Sequence, residues 1–155
     1  MFEIKENGIY PLIKIATPEG VDFLDEHQQI INEFGYVWFC RFGKNNMKIQ
    51  SLQDADHILI IKDIVRNGGK VYLAEFDKVE QSHDISDEVV PKYYKNVAKY
   101  IGVWIRITQI KEIPQNVLED SFVVNKTNGS VAGILRSMCP ATLLRSTKYW
   151  RNICP

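Results

Sequence analysis

Two long strand-like segments, consecutive along the chain, constrain the fold more than any other feature. Residues 70–80 (KVYLAEFDKVE) and 102–113 (GVWIRITQIKEI) both alternate side chains with the period of two that is typical of β-strands. The 81–100 stretch between them is polar, contains Pro91 and is predicted to hold at most one short helix, over 93–100. A doubly wound parallel sheet needs a helix of about 10–15 residues between successive strands, so the sequence disfavours that architecture.

The other predicted elements surround this pair of strands. Apolar residues at helical spacing predict a first helix over 18–34, with Thr17 as its N-cap and Gly35 at its end. A second helix is predicted over 51–65, because a Ser-x-x-Asp sequence resembling a capping box precedes its apolar positions. The remaining elements are a strand over 36–42, a brief strand over 122–124 and a late helix over 130–138.

This order of elements predicts an α+β fold, in which helices flank a small, strongly curved, mostly antiparallel sheet or barrel. No internal repeat and no linker divides the 155 residues. Because a chain of this length buries one core, we expect a single domain over residues 1–155.

The total charge is balanced, but its distribution along the chain is not. Nineteen Lys and Arg residues match nineteen Asp and Glu residues. Residues 1–35 have seven acids against two bases, a net charge of −5, whereas residues 121–155 have five bases and no acid, a net charge of +5. The basic segment has two interpretations: a surface that follows a phosphate backbone, or one that packs against the acidic segment.

Several kinds of chemistry and location are not indicated. The charged N-terminal residues do not fit a secretory signal, and no apolar run approaches the roughly 18 residues of a membrane span, so we expect a cytoplasmic protein without a membrane partner. Cys40, Cys139 and Cys154 are widely spaced and no histidine stands at ligand spacing, so we expect reduced thiols and no metal site. Without a glycine-rich phosphate loop or a hydrolase motif, the sequence indicates no cofactor and no catalytic residue.

Two residues with reactive side chains have simpler interpretations than catalysis. His27 falls on the apolar face of the first predicted helix, where we interpret it as a hydrogen-bonded core or boundary residue. Cys139 follows Arg136 on the basic segment, which favours a thiolate, but the sequence gives it no neighbouring base. We therefore interpret Cys139 as a buried thiol at a helix end.

Aromatic and arginine side chains occur together on the predicted strands. Trp104 and Arg106 share a face because side chains two apart in a strand point the same way, and Trp38 lies near Arg41 on an earlier strand. An indole stacks on a flat heterocycle, and a guanidinium binds phosphate or stacks in turn. The pattern predicts a nucleobase platform. The alternative is that both tryptophans belong to the core and both arginines extend to solvent.

The segments GYVWFCRF, KVYLAEFDKVE, GVWIRITQIKEIP and NGSVAGILRSMCPATLL carry a resemblance over about residues 35–145. In element order and apolar pattern they resemble the PUA-like superfamily, the curved-sheet domains that include the EVE, YTH and ASCH groups. The resemblance implies binding of RNA or DNA, in several members through an aromatic-walled pocket for a modified or flipped base. By position it nominates Trp38 and Trp104 as pocket walls, and Arg136 with Ser137 at the late helix. The early G-x-K-x-x-E-x-R motif of ASCH proteins is missing, so the catalytic Lys, Thr and acid of ASCH-type amidohydrolases are not carried over.

We therefore expect a non-enzymatic module that binds nucleic acid, with Trp38 and Trp104 stacking on a base. One alternative is a protein-interaction domain of a bacterial or phage defence or regulatory system, and another is a small-molecule hydrolase on the same fold. Nucleic-acid binding weakens as salt rises, whereas an apolar protein interface changes little. The residues expected to contact phosphate are Arg41, Arg106, Arg136 and Arg145.

Overall fold

One helix and a series of short and long strands make up the part of the chain that the structure describes. This structure, a computed structural model, describes residues 3–4, 8–42, 52, 57–64, 69–81, 85–94, 102–114, 122–124, 141–146 and 150–151. Its elements in chain order are β1 (Glu3–Ile4), β2 (Ile9–Ile15), α1 (Phe23–Phe34), β3 (Val37–Phe42), β4 (Ile58–Asp63), β5 (Val71–Glu80), a 3₁₀ helix (Asp87–Val89), β6 (Gly102–Ile113), β7 (Phe122–Val124), β8 (Ala141–Ser146) and β9 (Trp150–Arg151).

Seven strands form one mixed sheet in the order β3-β6-β5-β4-β2-β8-β7, and β1 pairs with β9 apart from it. All neighbours in the large sheet are antiparallel except β2 and β4, which run parallel with Lys14 opposite Lys62. Within the described ranges the hydrogen bonding does not close into a ring, because β3 and β7 are the two edges. The α+β class and the mostly antiparallel sheet are thus confirmed, whereas a closed barrel is not.

The strands with clear alternation lie where the sequence predicts them. The longest, β5 and β6, pair from Val71 opposite Ile113 to Glu80 opposite Trp104, with an irregularity that leaves Asp77 and Thr108 without cross-strand partners. The edge strand β3 and the short strand β7 also match their predicted ranges. The late helix predicted over 130–138 lies outside the described residues.

The second predicted helix is wrong where the structure describes it, because residues Ile58–Asp63 form strand β4. All six residues are buried, since β4 lies inside the sheet between β2 and β5. A short apolar run buried on both faces has no polar alternation, so its spacing fits a buried helix as well as a central strand. The pairing with two neighbouring strands decides for the strand.

The first helix is confirmed but begins later than predicted. Its N-cap is Asp22 rather than Thr17, and the Asp22 carboxylate accepts a hydrogen bond from the Asp25 backbone N–H at 3.0 Å. Gly35 ends the helix with φ 85°, and its N–H donates to the Ile31 carbonyl at 2.7 Å. The loop from residue 17 to residue 22 is therefore free of helical structure and lies beside the sheet.

The sheet has apolar packing on both faces. On one face, α1 covers the main core of aliphatic and aromatic residues from β2 to β6. On the other face a smaller group, here named the tryptophan cluster, packs beneath residues 85–94. The tryptophan cluster consists of Trp38, Cys40, Val89, Val90, Tyr94 and Trp104.

No helix in the described part of the chain is long and apolar enough to cross a membrane.

Candidate functional site

The pairing of β3 with β6 brings the predicted platform residues together on one face of the sheet. Trp38 lies opposite Arg106, and Cys40 lies opposite Trp104. Because direct cross-strand partners share a face, both tryptophans and Arg106 project from the side of the sheet that faces away from α1. The two strands predicted to carry the platform are therefore neighbours.

The two tryptophans are buried, which corrects the expectation of an open stacking platform. Trp104 is 1% exposed and Trp38 is 7% exposed, because Val89, Val90 and Tyr94 pack over them. In this arrangement neither indole presents a face to a base. The tryptophans instead form the floor on which residues 85–94 rest.

Arg106 is engaged by an acidic neighbour. Its guanidinium donates two hydrogen bonds to the Asp77 carboxylate, Nε to Oδ1 at 2.8 Å and Nη2 to Oδ2 at 2.9 Å. It also lies 5.1 Å from the centroid of the Tyr36 ring. The hydrogen bond from Arg106 holds the pKa of Asp77 below its ordinary value. The bulge in β5 thus places the Asp77 carboxylate against the Arg106 guanidinium, where a phosphate would otherwise bind.

The other predicted contact residues are separated along the sheet or lie outside the described residues. The backbone of Arg41 pairs with Val103 on the edge strand β3. The backbone of Arg145 pairs with Ile9, on β8 near the other end of the sheet. Arg136 and Ser137 are outside the described residues.

The structure assembles a different aromatic pocket, which we name the tyrosine pocket. It has a volume of about 220 Å³ and lies between the edge of β3 and the C-terminal end of β2. Three strands stand between β3 and β2 in the order of the sheet, so the sheet curves strongly to bring these two segments to one cavity. The residues of the tyrosine pocket are Lys14, Ile15, Ala16, Thr17, Phe39, Cys40, Tyr93 and Tyr94.

Two tyrosines fill the gap between these strands. Tyr94 rests on Trp104, with ring centroids 6.3 Å apart, and its hydroxyl accepts a hydrogen bond from the Cys40 backbone N–H at 3.2 Å. The Tyr93 ring is nearly perpendicular to that of Tyr94, at 82° with 5.1 Å between centroids. Tyr94 is buried and Tyr93 is half-buried. The first tyrosine is therefore anchored to the edge strand, and the second borders the cavity with part of its surface in solvent.

Behind the pocket lies a fully buried histidine, His27, as its position on α1 predicts. Its ring centroid lies 6.1 Å from that of Phe39 and 6.3 Å from that of Tyr93. Its Nδ1–H donates a hydrogen bond to the Phe23 carbonyl at 2.8 Å. Burial lowers the pKa of His27 from 6.5 to about 4, so the ring is neutral near pH 7. Its Nε2 atom is buried and has no hydrogen-bond partner within the described residues.

Thr17 and Asp63 form a hydrogen-bonded pair at the rim of the tyrosine pocket. The Thr17 hydroxyl donates to Oδ2 of Asp63, and the Thr17 backbone N–H lies 3.4 Å from Oδ1. The Asp63 side chain is 6% exposed, so its carboxylate needs such partners. Among the described residues, no group of three or more His, Cys, Asp or Glu side chains is placed to hold a metal ion.

The sequence compares with a known family over most of its length. A family model described as Pua-like matches residues 16–128. The chain belongs to the PUA-like family. The curated proteins and the solved structures gave no match. The PUA-like match contains Trp38, Trp104 and six of the eight residues of the tyrosine pocket. Lys14 and Ile15 precede its start, and Arg136, Ser137 and Arg145 lie beyond its end.

The pocket residues of this PUA-like chain were not predicted, although one signal marked them. Tyr93 and Tyr94 are adjacent aromatics in an otherwise polar connection, where binding residues often lie. Lys14 lies on β2, over which the sequence predicts no strand, and Thr17 is predicted as a helix N-cap. The geometry that unites them depends on the curvature of the sheet, which sequence spacing does not report.

Proposed function

We propose that this PUA-like protein binds single-stranded nucleic acid, RNA in the first instance, and holds one unstacked base in the tyrosine pocket. The observation that carries the proposal is the composition of that pocket: aromatic side chains, a threonine hydroxyl and a lysine around one cavity. Aromatic faces stack on a base of any sequence, hydroxyls bond to its edge, and an ammonium attracts the adjoining phosphate. Family membership supports the same function, because PUA-like domains often bind RNA.

The tryptophans act in this proposal by supporting the pocket. Trp104 carries the ring of Tyr94, and Trp38 packs in the same cluster, so both fix the segment that bears the tyrosines. The part of the nucleic acid that lies outside the pocket is proposed to contact four other residues: Arg41, Arg136, Ser137 and Arg145. Arg106 contributes less, because Asp77 already occupies its guanidinium.

The test is a comparison of two half-buried tyrosines. Tyr93 borders the tyrosine pocket, whereas Tyr36 packs at the margin of the tryptophan cluster beside Arg106 and does not line the pocket. Fluorescence anisotropy with a short single-stranded RNA should show Tyr93→Ala weakening binding by about tenfold, the loss expected for one stacked base. Tyr36→Ala should leave the affinity unchanged. Lys14→Gln should reduce the slope of log affinity against log salt by about one.

Three outcomes contradict the proposal. The first is that the unaltered protein binds neither RNA nor DNA at low salt, and the second is that Tyr36→Ala weakens binding as much as Tyr93→Ala. The third is binding that does not change with salt, which is the behaviour of the apolar protein interface considered above. A circular dichroism spectrum of each variant separates loss of binding from loss of folding.

A second candidate function is hydrolysis of an amide, favoured by the Thr17–Asp63 hydrogen bond. A threonine hydroxyl becomes a nucleophile when a neighbouring base accepts its proton, and here the acceptor is a buried carboxylate. In this candidate reaction, the Thr17 oxygen attacks the amide carbonyl and Asp63 takes the proton. The amine then leaves with a proton supplied by Lys14. Water cleaves the resulting ester, which restores the Thr17 hydroxyl and releases a carboxylic acid that ionises in solvent, and the proton held by Asp63 returns to Lys14. Lys14 and Thr17 line the same pocket.

The amide reaction has its own readout, which binding does not supply. An N-acylated nucleoside is incubated with the protein, and the released nucleoside is measured by chromatography. Thr17→Ser should retain turnover and Thr17→Val should abolish it, because only the former keeps the hydroxyl. Absence of turnover by the unaltered protein rejects this candidate and leaves the binding proposal standing.

A further inference from the structure

Thr17 borders a second and larger cavity, which we name the acidic cleft. This cleft has a volume of about 470 Å³ and lies between the loop that precedes α1 and the start of β5. Its volume is in the range of about 300–1,000 Å³ in which proteins hold small molecules. The polar residues that line it are Thr17, Glu19, Asp22, Asp63, Lys70 and Tyr72.

The side chains of the acidic cleft are mostly anionic. Glu19, Asp22 and Asp63 contribute three carboxylates against the single ammonium of Lys70. The Lys70 ammonium also lies 3.4 Å from a carboxylate oxygen of Glu112, outside the lining of the cleft. A second ammonium, that of the buried Lys62, donates a hydrogen bond at 3.0 Å to the carbonyl of Gly69, which also lines the cleft. The three carboxylates outnumber the two ammonium groups, so the cleft keeps an excess of negative charge.

Tyr72 gives an independent indication that the cleft is built to receive a ligand. The residue is 2% exposed, lines the cleft, and its hydroxyl has no hydrogen-bond partner in the part of the chain that the structure describes. The ring is enclosed by the core, but the hydroxyl is open to the cleft, where a ligand or an ordered water bonds to it. Burial, followed by the charges of Asp63, Glu112 and Asp22, raises the pKa of Tyr72 to about 12. The potential at the hydroxyl is thus negative as well.

We propose that the acidic cleft binds a small organic cation that carries an aliphatic ammonium group. An ammonium has three donors and no acceptor, which complements carboxylates and a tyrosine hydroxyl that accepts hydrogen bonds. The described residues offer no set of three metal ligands, and the cleft is far larger than a bare ion. This site lies beside the tyrosine pocket and shares Thr17 with it, but its charge excludes the phosphates that the tyrosine pocket is proposed to accept.

The experiment is an isothermal titration of the full chain with putrescine, at low salt and without nucleic acid. Tyr72→Phe keeps the ring and removes the unpartnered hydroxyl. Asp22→Asn removes a charge but keeps a side chain that caps helices equally well. Combined with Glu19→Gln, it should weaken putrescine binding by about tenfold, because two of the three charges near the ammonium are lost. Tyr72→Phe should weaken it by about threefold to tenfold, the loss of one hydrogen bond to a charged donor.

The matched control for Asp22→Asn alone is Glu33→Gln, which likewise removes one negative charge, but from an exposed residue near the other end of α1. It should leave the affinity unchanged, and 1,4-butanediol, the neutral analogue of putrescine, should not bind. Four outcomes overturn the proposal: no heat of binding with millimolar putrescine, equal binding of the diol, equal weakening by Glu33→Gln, or preference for Mg²⁺ alone. None of these affects the nucleic-acid proposal, which is tested at the tyrosines.

Discussion

The hydroxyl of Thr17 donates a hydrogen bond to the carboxylate of Asp63, 46 residues later in the chain. Asp63 ends β4, and its backbone pairs with Ile15 in the parallel ladder, so the side-chain bond extends the contact between β2 and β4 beyond the last paired residues. Thr17 is thereby held between the tyrosine pocket and the acidic cleft. A change that displaces Asp63 should disturb both cavities at once.

Gly69→Ala is expected to destabilise the protein by displacing Asp63. A Cβ atom at residue 69 would lie 1.8 Å from the Asp63 carbonyl oxygen, which is backbone and has little freedom to move. We expect the free energy of unfolding to fall by about 1–3 kcal/mol, as for other overpacked sites, and urea denaturation measures it. Gly35→Ala is the comparison: no atom lies within 4 Å of its added Cβ, and only the positive φ opposes it, at about 1 kcal/mol. An unchanged midpoint for Gly69→Ala would show that the Asp63 backbone yields freely.

His27 should make the protein less stable as the pH falls below neutrality. Its folded pKa of about 4 lies below the ordinary 6.5, so between these values the unfolded chain binds a proton that the folded chain does not. The contribution of His27 to the free energy of unfolding is fully present above pH 6.5. It is lost as the pH falls to 4, a loss of roughly 3 kcal/mol. His27→Phe should flatten this part of the stability profile, measured by denaturation at several pH values. The idea fails if the profiles of the variant and the unaltered protein are parallel between pH 6.5 and 4.

Trp104→Ala should impair folding itself, in contrast to the effect expected of an exposed platform. The side chain is 1% exposed and packs against Tyr94, so its removal leaves a cavity and should cost about 3–5 kcal/mol. Phe34→Ala, at a ring that is 38% exposed, should cost about 0.5 kcal/mol. Thermal unfolding monitored by circular dichroism distinguishes them. A Trp104→Ala protein that melts normally would return the indole to the list of candidate binding surfaces.

The Arg106–Asp77 pair should couple weakly in stability. Both side chains are partly exposed, at 30% and 45%, so solvent screens the attraction despite the two hydrogen bonds. A double-mutant cycle with Arg106→Ala and Asp77→Ala should give a coupling energy of about 0.5–1 kcal/mol. A coupling near zero would mean that the pair does not persist in solution, and Arg106 would then be free to bind phosphate.

The strands that the sequence predicts correctly are those in which the side chains alternate between two faces of different composition. In β6, inward Val103, Ile105 and Ile107 alternate with residues of the opposite face, so the period of two is legible. β4 lacks this alternation because it is buried on both faces. The sequence analysis predicts no strand over β2, and its Pro11 is a residue that normally argues against an inner strand. Pro11 is tolerated because it pairs only with β8, before the pairing with β4 begins at Leu12.

The candidate site was predicted in part. The neighbouring strands that carry Trp38, Trp104 and Arg106 could be identified, but their burial could not, because it depends on residues 85–94 returning across the sheet. An acidic partner for Arg106 was likewise invisible, since it comes from a bulge rather than from regular pairing. Local alternation reports which side chains share a face; it does not report what covers that face.

The gap between β3 and β2 is spanned by tyrosine side chains instead of a backbone ladder, and this gives the wall of the tyrosine pocket its own mode of opening. Tyr94 can depart without separating any strand pair, so this wall can move at a lower free energy than the sheet unfolds. The amide proton of Cys40 reports on that movement, because its bond to the Tyr94 hydroxyl breaks when the ring leaves. Deuterium exchange at this single amide therefore reports the local opening of the pocket wall, while exchange at the amides inside β5 and β6 reports the unfolding of the sheet.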